Sequence, residues 1–78
     1  MLLQEKMKAG DFSPSERAVV NFLLDKQELI EDYTTTRIAG ETYTSPSILV
    51  RISKKLGFSG YSQLKKAFLE EVRYLKRD

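Results

Sequence analysis

The sequence predicts an all-α fold, a compact bundle of about five helices, and three features carry that prediction. No segment alternates apolar and polar residues with the period of two that a half-buried strand requires. Two copies of Ser-Pro-Ser, at Ser13 to Ser15 and at Ser45 to Ser47, have the chemistry of helix starts. Beyond them, Tyr61, Leu64, Phe68, Val72 and Leu75 recur at helical spacing and make one apolar stripe.

Taken in order, Leu2, Leu3 and Met7 outline a short amphipathic helix ended by Gly10, a packing element and a candidate dimer contact. Ser13 then caps a second helix. Pro14 suits its first position, where a missing N–H leaves no bond unmade, and Glu16 completes a capping box. Ala18, Val19, Phe22 and Leu23 give this helix its inner face from about Pro14 to Asp25, with a looser continuation through Leu29 and Ile30 to Tyr33. Thr34, Thr35 and Thr36 are poor inside a helix but good caps, so a third helix follows to about Glu41 or Thr42, with Ile38 and Ala39 inward. Gly40 costs that helix about 1 kcal/mol relative to alanine. After Thr42 to Thr44, Ser45 caps a fourth helix, Pro46 occupies its first turn, and Gly57 ends it behind Leu56. The last helix runs from Ser59 or Gly60 to about Lys76. Gly57 to Tyr61 holds two glycines but neither the lysine nor the preceding strand of a nucleotide-binding loop, so it reads as a tight turn with Phe58 in the core. Of the scattered tyrosines Tyr33, Tyr43, Tyr61 and Tyr74, two or three are expected to pack, partly buried.

Seventy-eight residues that are 41% hydrophobic supply one core and one domain, spanning 1–78. The chain has no cysteine and no histidine. Disulfides, thiolate and imidazole metal sites, histidine-based nucleophilic centres and the usual neutral-pH acid/base are therefore excluded together. With its carboxylates on expected outer faces and no cradle for a cofactor, the chain is expected to be no enzyme and to carry no cofactor or metal. The opening residues lack the apolar run of a signal peptide, and no stretch reaches the roughly 18 apolar residues of a membrane span. A soluble cytoplasmic domain is expected.

Charge points to a partner. The net charge is only +2, but Met1 to Thr36 has four cations against seven acids, a net of −3, while Arg37 to Asp78 has nine against four, a net of +5. No acid lies between Glu41 and Glu70, a span that contains Arg51, Lys54, Lys55, Lys65 and Lys66. Such an asymmetry suits a polyanion, although a solvated helix face would look alike by charge alone.

On a helical wheel from Pro46 to Leu56, Ile48, Leu49, Ile52 and Leu56 share one sector, while Ser47, Val50, Arg51 and Lys54 lie opposite, with Lys55 at the border. That outer face offers a hydroxyl, a small apolar group, a guanidinium and an ammonium, which suit base edges, thymine methyls and phosphates in a major groove. The spacing adds a motif. Ala39 is the small residue a helix-turn-helix needs in its first helix where the second crosses, and Leu49 and Ile52 stand ten and thirteen positions later, on the inner side of the second. Four residues after Ala39, where such a turn commonly has glycine, the chain has Tyr43. A plain helical hairpin with charges outside is the alternative that this spacing leaves open.

The run SPSILVRISKKLGFSGYSQLKKAFLEE, preceded by FSPSERAVVNFLLDKQELIEDYTTTRIAGETYT, resembles the N-terminal helix-turn-helix domain of the RpiR/MurR family of bacterial transcription regulators. The resemblance runs from about Leu3 to Glu71, and its most specific parts are Ser13 to Glu16 and the string from Val50 to Tyr61. It implies a DNA-binding module of a regulator of sugar or phosphosugar metabolism, with the motif at about 35–56. Family members typically continue through a linker into a sugar isomerase (SIS) domain that binds a phosphorylated sugar. These 78 residues are expected to lack that domain and its phosphosugar effector, and the full-length protein is expected to be a homodimer or higher homo-oligomer. The chain departs from the pattern at Ile48, where threonine is common, at Ile52, where an aromatic is common, and at Gly40, where a better helix former is usual.

The candidate DNA-binding residues follow. Arg51, in the middle of the outer face, is the candidate for base readout; Ile48, at the edge of the core sector, either packs inward or meets a thymine methyl, with packing preferred. Ser45, Pro46 and Ser47 stand at the helix N-terminus, where hydroxyls and free N–H groups suit phosphates or base edges. Lys54 is a candidate for phosphate or base, and Lys55 for phosphate. Thr35 and Thr36 open the helix that crosses the DNA backbone in this class of motif. Tyr61, with its free N–H at the start of the last helix, and Lys65 one turn on form a second phosphate candidate. The expected partner is a double-stranded DNA operator; the alternative is a helix-turn-helix protein-interaction or dimerisation module that binds no DNA.

Overall fold

In the computed structural model, which describes residues 2–77, five α-helices follow one another: α1 (Leu3–Ala9), α2 (Pro14–Lys26), α3 (Thr35–Glu41), α4 (Ser47–Lys55) and α5 (Tyr61–Leu75), with a 3-10 helix over Gln27–Asp32. The fold is all-α, as the sequence predicts. Central α2 packs against α1, the 3-10 helix, α3 and α4, while α5 closes the bundle against α1, the 3-10 helix and α4.

Helix ends are built by specific polar contacts. At the N-terminus of α1 the Leu2 side chain makes no cap bond; Glu5 Oε1 accepts from Leu2 N at 3.1 Å, and the carboxylate of Glu71 on α5 accepts from Leu3 N at 2.6 Å and Gln4 N at 2.9 Å. At the other end Arg17 donates to the carbonyls of Met7 (2.9 Å) and Gly10 (2.6 Å), satisfying acceptors a helix terminus leaves free. Gly10 does follow the last residue of α1, but at φ −62 it is no left-handed cap. A Cβ there would run into the Phe12 ring, so close packing requires the glycine.

The capping box of α2 forms as predicted: Ser13 Oγ accepts from Glu16 N at 3.3 Å, and Glu16 Oε1 accepts from Ser13 N at 2.8 Å. Its inner face is rotated from the expected one. Val19, Val20 and Leu23 are buried, Phe22 is half-buried beside Tyr33 at 5.6 Å between ring centroids, and Ala18 is exposed. Gln27, at φ 55 and ψ −128, then breaks the helix and turns the chain into the 3-10 segment, whose Ile30 enters the core while Leu29 stays 61% exposed.

Thr34 Oγ1 accepts from Arg37 N at 3.0 Å and caps α3, whose Ile38 and Ala39 are buried. On α4, Ile48, Leu49 and Ile52 are buried, so Ile48 packs in the core. Burial of Leu49 and Ile52 together with Ala39 is the register the helix-turn-helix spacing requires. The predicted Ser45 cap is corrected. No side chain caps α4, which starts through Ile48 N to Ser45 O and Leu49 N to Pro46 O, both 3.1 Å, and the Ser45 hydroxyl pairs instead with that of Ser47 at 2.9 Å. Pro46 already has helical dihedrals, which carries the turn without a side-chain acceptor.

The end of α4 is a Schellman motif: Gly57 N bonds to Lys54 O at 3.1 Å and Phe58 N to Ser53 O at 2.9 Å, with Gly57 at φ +95. Half-buried Phe58 packs on the core. In α5, Leu64, Phe68, Leu69 and Val72 are buried, and Tyr61 is half-buried. Leu75, expected in the stripe, is 49% exposed, because the helix end overhangs the core. Among the tyrosines, Tyr33 and Tyr61 pack, while Tyr43 and Tyr74 are exposed.

Candidate nucleic-acid interface

The core side of α4 fixes what its other side presents. With Ile48, Leu49, Ile52 and Ser53 buried, Ser47, Val50, Arg51 and Lys54 face solvent, and no acid interrupts them along the helix. Buried Ser53 spends its hydroxyl on Leu49 O at 2.6 Å, so it adds nothing to the outer face. Ser45, Pro46 and Ser47 are exposed at the N-terminal end, next to the turn from α3. On α3 itself Thr36 is exposed and Thr35 half-buried, with Arg37 stacked 3.9 Å above the Tyr33 ring and bonded to Glu41 at 2.9 Å.

One acid does approach the outer face, from another helix. Glu16 is 1% exposed; its Oε1 accepts from Lys55 Nζ at 2.6 Å, and its Oε2 lies 3.8 Å from Arg51 NH1. The Lys55 hydrogen bond, followed by the Ser13 backbone N–H, holds the Glu16 carboxyl below its ordinary range against the opposing effect of burial. The same carboxylate therefore caps α2 and fixes the border of the α4 face. Lys55 is also 5.7 Å from the centre of the Phe12 ring. Lys55 is thus tied to the scaffold at the border of the α4 face, with its side chain 44% exposed.

The remaining sequence candidates lie elsewhere. Lys65 donates to Glu31 O at 2.9 Å and lines a cleft between the 3-10 helix and α5 with Ser62, Lys66 and Arg73. The Tyr61 hydroxyl is buried and finds no hydrogen-bond partner among the described residues, and burial pushes the phenol up to about 12. Its main-chain N–H stands at the first position of α5.

The charge asymmetry of the sequence is thus partly internal. Arg73 pairs with Glu31, and Lys76 with Glu28 at 2.7 Å, so a cation on α5 and one just beyond its end neutralise acids of the 3-10 helix. Lys54 makes no ion pair among the described residues. Two features escaped the sequence reading. The Glu16–Lys55 pair bridges 39 positions, which no local pattern signals. Ser53 also escaped it, although it stands one turn after Leu49, about 40° beyond the apolar sector of the wheel.

Among the described residues no group of acids could hold a metal ion, and no helix is long and apolar enough to cross a membrane. A short helix with a buried small residue, a tight turn and a second helix with one buried and one cationic face together define a helix-turn-helix domain. Residues 1–73 match the profile of the helix-turn-helix domain of the rpiR family, and the chain belongs to that family of DNA-binding domains of transcription regulators. No solved structure matches the chain.

Proposed function

We propose that the chain binds double-stranded DNA sequence-specifically, with α4 in the major groove, as the reading module of a transcription regulator of sugar or phosphosugar metabolism. The metabolic assignment, like a phosphosugar effector on a SIS domain outside these residues, rests on the family alone. The reading of DNA rests on one observation: α4 buries one face completely and turns Ser47, Val50, Arg51 and Lys54 outward with no acid among them. In this role Arg51 reaches a guanine edge, and Lys54 with the exposed Ser45 and Ser47 hydroxyls holds phosphates. Thr35 and Thr36 lie on the helix that crosses the backbone, and the Tyr61 N–H with Lys65 forms an outlying phosphate contact.

A single module makes few contacts, so tight binding calls for a homodimer with its two α4 helices about 34–36 Å apart, one turn of DNA. Selection of duplexes from a random pool, followed by competition with unrelated DNA, tests the reading. Enrichment of one motif supports it. A pool that stays random, with the chain instead joining a protein partner, would replace it by the interaction-module alternative.

A further inference from the structure

Tyr43, in the turn between α3 and α4, is 97% exposed, so its side chain contributes nothing to the core. Its backbone stands at φ 57, in the left-handed region that disfavours residues with a Cβ, apart from asparagine and a few others. A large aromatic residue thus occupies a place where glycine would fold more easily.

The turn that holds it is well fixed. Thr44 N donates to Ala39 O at 2.9 Å, Thr42 Oγ1 donates to Ile38 O at 2.8 Å, and the hydroxyls of Thr42 and Thr44 lie 2.9 Å apart. Tyr43 is therefore presented on a rigid base, two residues before exposed Ser45 at the leading end of α4. The neighbouring acid, Glu41, is held by Arg37 at 2.9 Å, which offsets its repulsion of an approaching polyanion. A phenol combines an O–H donor with a flat apolar ring, suited to a phosphate oxygen and the deoxyribose beside it.

We propose that Tyr43 is a DNA contact, its hydroxyl donating to a backbone phosphate next to the base pairs that α4 reads. This rests on the duplex-DNA reading of α4. It adds a residue that a helical wheel does not reach, and it gives the unfavourable turn conformation a use.

The test compares Tyr43→Gly, Tyr43→Asn and Tyr43→Phe with the parent chain, measuring thermal midpoint and affinity for the selected duplex and for random DNA. Asparagine retains the left-handed turn without the flexibility of glycine. The glycine variant is expected to melt higher by roughly 4–8 °C. The phenylalanine variant, which keeps the ring but lacks the hydroxyl, should lose about tenfold in affinity on both DNAs, the scale of one hydrogen bond to a charged group. The glycine and asparagine variants, which lose ring and hydroxyl together, should lose at least as much. None should change the salt slope, because no charge is removed. A phenylalanine variant that binds like the parent, or glycine and asparagine variants that do, overturns this inference and leaves the duplex reading standing. A parent chain that binds no duplex at all overturns both.

Discussion

The ammonium of Lys55, at the C-terminal end of α4, donates at 2.6 Å to the carboxylate of Glu16, which is buried at the start of α2. The helix proposed to meet DNA is thereby fastened to the scaffold by a charged contact as well as by its apolar face.

Removing Lys55 should consequently destabilise the fold. Loss of one partner of a fully buried ion pair costs about 3–5 kcal/mol. Here Lys55 is 44% exposed and Arg51 stands 3.8 Å from the same carboxylate. Lys55→Ala is therefore expected to cost about 1–2 kcal/mol, discounted for solvent screening. Urea unfolding measures it, and a change below about 0.5 kcal/mol would show that the pair is not needed.

The same carboxylate sets a pH dependence. Its folded pKa lies below the unfolded value of about 4.3, so its contribution is present above that value and is lost as pH falls through the folded pKa. The Glu16→Gln variant retains a capping-box side chain but no charge. It should be less stable than the parent at neutral pH, and the difference should shrink in acid. Parallel unfolding curves at pH 7 and pH 3 check this; a gap constant with pH would contradict it.

Gly40 is exposed within α3, and a Cβ added there meets nothing within 4 Å. Gly40→Ala should stabilise the chain by about 0.5–1 kcal/mol by relieving the backbone entropy cost. Thermal melting decides, and an unchanged or lower midpoint would contradict the open space around this position.

Tyr61 has a buried hydroxyl without a partner among the described residues. Tyr61→Phe removes that desolvated group and should raise stability by about 1 kcal/mol. If only the main chain of Tyr61 meets DNA, affinity will not change. A loss of affinity in this variant would show that the hydroxyl becomes accessible in the complex.

These residues also show where sequence reasoning reaches and where it stops. Periodicity and capping chemistry are local, so Ser13–Glu16, the inward Ala39, Leu49 and Ile52, and the Gly57 stop were all legible. Contacts between distant segments were not, since nothing near Glu71 announces that it caps α1, and nothing near Glu16 announces Lys55. The side-chain cap expected at Ser45 failed because Pro46, itself helical, opens α4 without one. On α2 the apolar residues Ala18, Val19, Val20, Phe22, Leu23 and Leu24 cover too much of the circumference for a wheel to choose the buried arc, and tertiary packing chose Val19, Val20 and Leu23. The outer face of α4 was legible for a simple reason: Ile48, Leu49 and Ile52 share one sector, and only one orientation buries all three.

Arg51 carries the central claim, since it stands midway along α4 with 62% of its side chain exposed. The most direct test is the ratio of affinities for the selected duplex and for random DNA, compared between the parent and Arg51→Ala at one fixed salt concentration. The account predicts that the ratio falls by roughly 5- to 150-fold, equivalent to about 1–3 kcal/mol of lost base discrimination, with selection relaxed at one base pair. An Arg51→Ala ratio equal to that of the parent would mean that α4 holds DNA without reading it through this residue, and would contradict the account.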